Sequence, residues 1–264
     1  MEEKLFIKTS KYDIPAIITY PDKGTNFPAI ILCHGTASQK DEIGDMYVLL
    51  ANELLKAGIA SIRFDYAGCG ESKLLPQDLT FYGEVDDTHE VYKYLLTREN
   101  IDKRNIGILG LSQGARIMAE LFKIVPEIKF GVSWSGACQT DEGLFEEWHK
   151  SYYNEAAKNG YALVPMPWGD NLILSKEWFD DIKKSTPLEN LATYEGPILA
   201  VAGVEDNMIP FEHTSEIIKV CKNPNSRAII YPRANHIFNI LSSDLTIMNT
   251  IIKETIDWIN KILE

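Results

Sequence analysis

Residues 110–114 read Gly-Leu-Ser-Gln-Gly, a serine held two residues from a glycine on either side. A serine hydroxyl is a weak nucleophile until a neighbouring base takes its proton and an acid orients that base. Glycines at this spacing let the chain leave a strand by so sharp a turn that the serine stands at the start of the next helix. There the helix dipole favours a developing negative charge, and the N–H of Gln113 points to the same spot. The five-residue pattern alone arises by chance in about one chain in ten of this length. Its setting carries more: an apolar run over 105–111 leads in and a helical pattern over 113–125 leads out. The chemistry implied is acyl transfer through Ser112.

On a strand–turn–helix scaffold the acid and then the histidine follow the serine along the chain. His213 and His236 are the two histidines that follow residue 187. His213, in PFEHTSE, opens a helix and reads as a solvated surface residue. His236, in YPRANHIFN, lies just beyond the last strand, where a catalytic loop belongs. The stretch VAGVEDNMIP offers Glu205 and Asp206 in one loop, and either could orient the base. A second oxyanion donor is needed from the loop after the third strand. That loop opens with His34-Gly35-Thr36, so Thr36 offers its N–H beside that of Gln113, and His34 reads as a loop-structuring residue. Asp86, Asp87 and His89 read as the polar face of a helix, Asp65 as a partner of local backbone, and 131–135 (GVSWS) as packing at a strand end. No Cys, His, Asp or Glu cluster has metal-ligand spacing and no glycine-rich phosphate loop appears, so neither metal nor cofactor is expected.

These residues must be positioned by the elements between them. Apolar, β-rich runs fall at 4–9, 14–20, 29–33, 59–64, 106–111, 128–134, 197–202 and 228–231. Helical patterns fall at 44–57, 84–96, 113–125, 212–221 and 245–262. Alternating β and α with short links predicts a mostly parallel sheet covered by helices on both faces, opened by two antiparallel strands. The rhythm breaks over 137–187, where no clear strand is evident and Phe145, Trp148, Tyr152, Tyr153, Tyr161, Trp168, Trp178 and Phe179 crowd together. This reads as an insertion over the strand ends where α/β active sites lie. Trp148, Tyr152, Trp168 and Trp178 are the candidates to line a substrate pocket, and aromatic walls suit aromatic or medium acyl groups.

A chain of 264 residues at 45% hydrophobic and 24% charged suits one large α/β domain or two small ones. Its net charge of −12 argues against nucleic-acid binding, which needs a basic face. No apolar run approaches the length of a membrane span, so no membrane partner is expected. No signal peptide is evident and the four cysteines are scattered, which predicts a cytoplasmic protein. The expected partner is a small-molecule ester, and a homodimer is compatible with the sequence.

Taken together, His34-Gly35, RFDYAGCGES (63–72), GLSQG, GVEDNMIP and ANHIF run in order along nearly the whole chain and resemble the α/β-hydrolase superfamily. Within it the chain looks most like small bacterial carboxylesterases of the feruloyl/cinnamoyl esterase type. The resemblance implies an eight-stranded, mostly parallel sheet with a cap after the sixth strand, the core being 1–136 and 188–264 and the cap 137–187. It implies Ser112 as nucleophile, His236 as base, Asp206 rather than Glu205 as acid, and Thr36 and Gln113 as oxyanion donors. The expected activity is hydrolysis of small or aromatic-acyl esters, hydroxycinnamoyl and feruloyl esters among them. The same triad serves thioesterases, acyltransferases and small-peptide hydrolases, and a fold member that only binds ligand is the alternative from another class.

Overall fold

The computed structural model describes residues 1–139, 142–166 and 169–264. The chain opens with two antiparallel strands, β1 (Glu2–Lys8) and β2 (Asp13–Thr19), then β3 (Phe27–Cys33), α1 (Met46–Lys56) and β4 (Ala60–Phe64). Helix α2 (Phe81–Thr97), β5 (Ile101–Leu111), α3 (Gln113–Ile124) and β6 (Gly131–Trp134) follow. After the inserted segment and α6 (Pro187–Thr193) come β9 (Ile198–Gly203), α7 (Glu212–Val220), β10 (Arg227–Tyr231) and α8 (Thr246–Leu263), where β7 and β8 belong to the insertion. Among the described residues the sheet has eight strands in the order β1-β2-β4-β3-β5-β6-β9-β10. Only β1–β2 and β2–β4 pair antiparallel, so β4, β3, β5, β6, β9 and β10 all end on one edge.

The central strands are apolar on both faces because both faces are covered. Along β5, Ile108 packs toward α2 and α3, whereas Leu109 and Leu111 pack toward α1 and α8. The α1/α8 side is closed by Leu50 and Leu54 from α1 and by Ile251, Ile252 and Trp258 from α8. On the other side the core runs without a break from the sheet into the inserted segment, through Met118, Phe145, Trp148 and Trp178.

That segment departs from the sequence expectation. It holds α4 (Leu144–Asn159), an antiparallel hairpin of β7 (Tyr161–Val164) and β8 (Leu172–Ser175), and α5 (Lys176–Lys184). Each strand has four residues, too few for a period of two to register in the sequence. Helix α4 did carry a signal, since Phe145, Trp148 and Ala156 are its buried positions at helical spacing within an otherwise polar stretch. Among the described residues no helix is long and apolar enough to cross a membrane.

Candidate active site

At the end of β5 the backbone turns directly into α3, and the turn is made possible by two glycines that touch. A Cβ on Gly110 would lie 2.1 Å from the carbonyl carbon of Gly114, and one on Gly114 would lie 2.1 Å from the carbonyl oxygen of Cys33 at the end of β3. Between them Ser112 is held at φ 54° and ψ −117°, a conformation that non-glycine residues rarely adopt. It is fixed there because its N–H donates to the Trp134 carbonyl (2.8 Å) and its carbonyl accepts from Ala115 and Ala137 (3.1 Å each).

Two strands along the same edge, the loop after β9 presents Asp206. Its Oδ1 accepts the N–H groups of Met208 (2.9 Å) and Ile209 (2.8 Å), an arrangement that locks the carboxylate. Its Oδ2 accepts from Nδ1 of His236, at 2.8 Å, in the loop after β10. With Nδ1 donating to a carboxylate, Nε2 keeps its lone pair and can take a proton. Glu205, the other acid in that loop, is exposed. His236 is only 8% exposed, and the loop is shaped by Asn235, whose side-chain oxygen accepts from Ile237 and Asn239.

His213 is not the surface residue its sequence setting suggests: it is 5% exposed. It opens α7 and is covered by the start of the insertion, since a Cβ on Gly143 would come within 3.5 Å of its Cε1. Burial lowers its basicity, against the opposing pull of Glu216, Glu142, Glu212 and Asp206.

The loop after β3 is held by Glu42. Its Oε1 accepts the Gly35 N–H at 2.5 Å, and its Oε2 accepts from Ser38 Oγ (3.0 Å) and the Ile43 N–H (2.9 Å). Among the described residues the Thr36 N–H has no acceptor. As the first residue of α3, Gln113 has an N–H with no intrahelical partner. His34 Nδ1 donates to the Gly35 carbonyl oxygen (2.8 Å) and the ring packs on Tyr66, so it structures the loop. Asp65 serves the same loop, accepting from the N–H groups of Lys40 (2.7 Å) and Glu71 (2.9 Å) and from Lys40 Nζ (2.8 Å). Gly70 is glycine because a Cβ there would lie 2.2 Å from Asp65 Oδ1.

The sequence pattern of the prolyl oligopeptidase family matches residues 80–264. The chain belongs to the prolyl oligopeptidase family. It is a serine hydrolase with the α/β-hydrolase fold. The acylamino-acid-releasing enzyme of Rattus norvegicus is 22% identical over 231 residues, covering 82% of this chain and 29% of that enzyme. The chain therefore spans less than a third of the length of that relative. A structure described as ferulic acid bound to Est1E from Butyrivibrio proteoclasticus superposes with a TM-score of 0.80 at 18% identity, covering 98% of this chain and 99% of that one. The α/β hydrolase GrgF from Penicillium sp. sh18 superposes at 0.81 with 13% identity, covering 99% and 98%.

In this prolyl oligopeptidase family member the insertion carries an aromatic cluster that reaches Gln113 through Trp178, whose Nε1 donates to Gln113 Oε1 at 3.0 Å. Trp178 is fully buried, with Phe145 and Phe179 edge-on to it at 5.3 and 5.1 Å between ring centres. Trp148 is 8% exposed and lies 6.2 Å from Trp178. Tyr152 is half-buried against this cluster. Trp168, the fourth candidate for a pocket wall, lies outside the described residues.

Among the buried charged residues that escaped the sequence reading, three bear on the site. One is Glu42. Another is Arg116 on α3, fully buried and, among the described residues, without a carboxylate in salt-bridge contact. Its guanidinium donates to Ser185 Oγ (2.8 Å) and to the carbonyls of Ala137 (3.2 Å), Gln139 and Ile182 (3.1 Å). It therefore ties both ends of the insertion to the helix that follows Ser112, and burial pushes it down to about 10. The third is Glu84 on α2, fully buried, whose Oε2 accepts from Gln113 Nε2 at 2.5 Å. Burial and the nearby Asp87 push its carboxyl well above the usual range. Asp87 also departs from its reading as a solvated face. It is 2% exposed, accepting from Tyr12 Oη (2.6 Å) and the Ala67 N–H (3.0 Å). A charge on a helix or in a loop betrays burial only when its neighbours are known, which is why sequence alone passes over all three.

Proposed function

We propose that the chain is a serine carboxylesterase in which Ser112, His236 and Asp206 form the triad. The observation that carries this reading is the 2.8 Å Asp206–His236 pair on the same sheet edge as a serine held at positive φ. In this reading Ser112 Oγ attacks the ester carbonyl while His236 Nε2 takes its proton, and the carbonyl oxygen becomes an oxyanion facing the N–H groups of Thr36 and Gln113. Collapse expels the alcohol, which takes the proton from His236 and leaves an acyl-enzyme. Water, deprotonated by His236, then releases the acid and restores Ser112.

The substrates of this reading are small or aromatic-acyl esters, feruloyl and other hydroxycinnamoyl esters among them. The aromatic cluster in the segment after β6 supports that class, as does the ferulic acid in a structure of the same fold. A second reading, release of N-acylated amino acids from peptides, is favoured by the alignment of 82% of the chain with acylamino-acid-releasing enzyme. Four free thiols support action in a reducing compartment such as the cytoplasm.

A fluorophosphonate should label Ser112, and Ser112→Ala should abolish labelling and lower kcat by about 10⁴–10⁶-fold. Label on another residue overturns the triad. Relative kcat/KM on acetyl and feruloyl p-nitrophenyl esters, beside acetyl-alanine p-nitroanilide, decides between the two substrate classes.

A further inference from the structure

The side chain of Gln113 joins three elements that the sequence keeps far apart. Its Oε1 accepts from Trp178 Nε1 of α5 at 3.0 Å and from Thr36 Oγ1 of the β3 loop at 3.1 Å. Its Nε2 donates to Glu84 Oε2 of α2. The indole N–H can only donate, so it fixes which end of the carboxamide faces the cap and which faces Glu84. Gln113, Glu84 and Trp178 are all fully buried, and the Oε1 of Glu84 has no partner among the described residues. Keeping such polar groups out of water is costly unless their bonds are made, so the joint has one good geometry and few alternatives.

Both residues that supply oxyanion N–H groups in the proposed mechanism, Thr36 and Gln113, belong to this joint, and so does an indole from the middle of the cap. We infer that the Gln113 carboxamide is a positioning group that couples the cap to the oxyanion site, so that Trp178 sets turnover rather than substrate affinity. The inference rests on the triad reading above. A displacement of α5 pulls on Oε1 and shifts the Gln113 and Thr36 backbones together. Tenths of an ångström matter there, because an oxyanion donor acts over a narrow range of distance.

The test uses Thr36→Val and Trp178→Phe, each of which removes one polar contact of the joint, and Gln113→Met, which removes all three, with the Gln113→Met/Trp178→Phe double variant. Folding is checked by thermal unfolding. Turnover of p-nitrophenyl acetate and the rate of Ser112 phosphonylation by a fluorophosphonate are both measured. Each single variant is expected to lose about 5–20-fold in kcat and in phosphonylation rate with KM within twofold of wild type, and the double variant to be no slower than the slower single. Losses that multiply in the double variant, or single variants within twofold of wild type, overturn the inference, because Trp178 then acts by packing alone. If the buried variants do not fold, Thr36→Val decides it: a fall in kcat at constant KM supports the joint and an unchanged kcat overturns it. Wild-type protein that is phosphonylated on Ser112 yet inert to the ester defeats the esterase reading while leaving the phosphonylation rates to judge the joint. Wild-type protein whose Ser112 is not phosphonylated defeats the triad, and the inference with it.

Discussion

The junction between β5 and α3 and the cap are adjacent in space yet held by different means. At the junction the contacts are backbone on backbone: Gly110 against Gly114, and Gly114 against Cys33 of the neighbouring strand. Nothing flexible is available to give way. In the cap the contacts are side chain on side chain, with Phe145, Trp148, Trp178 and Phe179 in one aromatic cluster and Arg116 bonded to carbonyls at both ends of the insertion. Aromatic packing adapts to substitution, whereas a buried guanidinium with four acceptors does not. The serine thus sits on the rigid side of the boundary, and the aromatic packing of the cap can vary while its two anchor points stay in place.

The largest effect should come from the rigid side. Gly114→Ala gains about 1 kcal/mol of helix propensity, but its methyl meets the Cys33 carbonyl oxygen at 2.1 Å. We expect a net destabilisation of more than about 4 kcal/mol by denaturant unfolding. A loss below about 1 kcal/mol would show that the junction has slack. Next comes the cap's anchor. Arg116→Met removes the buried donor to Ser185 Oγ and to the carbonyls of Ala137, Gln139 and Ile182, of which Ser185 Oγ and Ile182 keep the bond between them, and should cost about 3 kcal/mol. Hydrogen exchange should quicken over 144–184 before it quickens in β5, and uniform quickening would deny that the cap opens on its own.

A smaller effect, with a sign set by pH, is expected on the core side. Burial pushes Asp87 up to about 6. Its unfolded value is about 3.9, so between these values the folded state holds more protons. Stability from this group is therefore present at low pH and is lost as pH rises through about 6, amounting to about 2–3 kcal/mol. The stability of Asp87→Asn relative to wild type should rise by that amount from pH 4 to pH 7. A constant difference would mean that the carboxyl ionises without penalty. The smallest effect belongs to the half-exposed cap pair Lys176–Asp180, at 2.5 Å. Lys176→Met should cost under about 0.5 kcal/mol, and less in high salt.

The strands and helices of the sheet region were legible because each answers to a local rule. Continuous apolar runs mark 29–33 and 106–111 and a period-3.6 pattern marks 113–125; the observed β3 and α3 agree to within two residues at each end, while β5 ends as expected at Leu111 and begins earlier, at Ile101. The hairpin β7–β8 was not legible, because two strands of four residues offer no periodicity and are stabilised by the elements they pack on.

At the site, Ser112 announced itself through glycine spacing, since that spacing encodes a close backbone approach, and His236 through its place after the last strand. The choice between Asp206 and Glu205 followed only from resemblance, and their neighbouring positions gave no local reason for one to face His236 and the other water. That His213 is buried, that Asp87 leaves solvent, and that Gln113 joins Thr36, Glu84 and Trp178 were decided by tertiary structure alone. Local rules determine where a chain turns and which face of an element is apolar. Which polar groups are sealed in together depends on contacts such as Gln113 with Thr36, 77 residues apart, and such partners are chosen by packing and the cost of leaving a buried polar group unbonded.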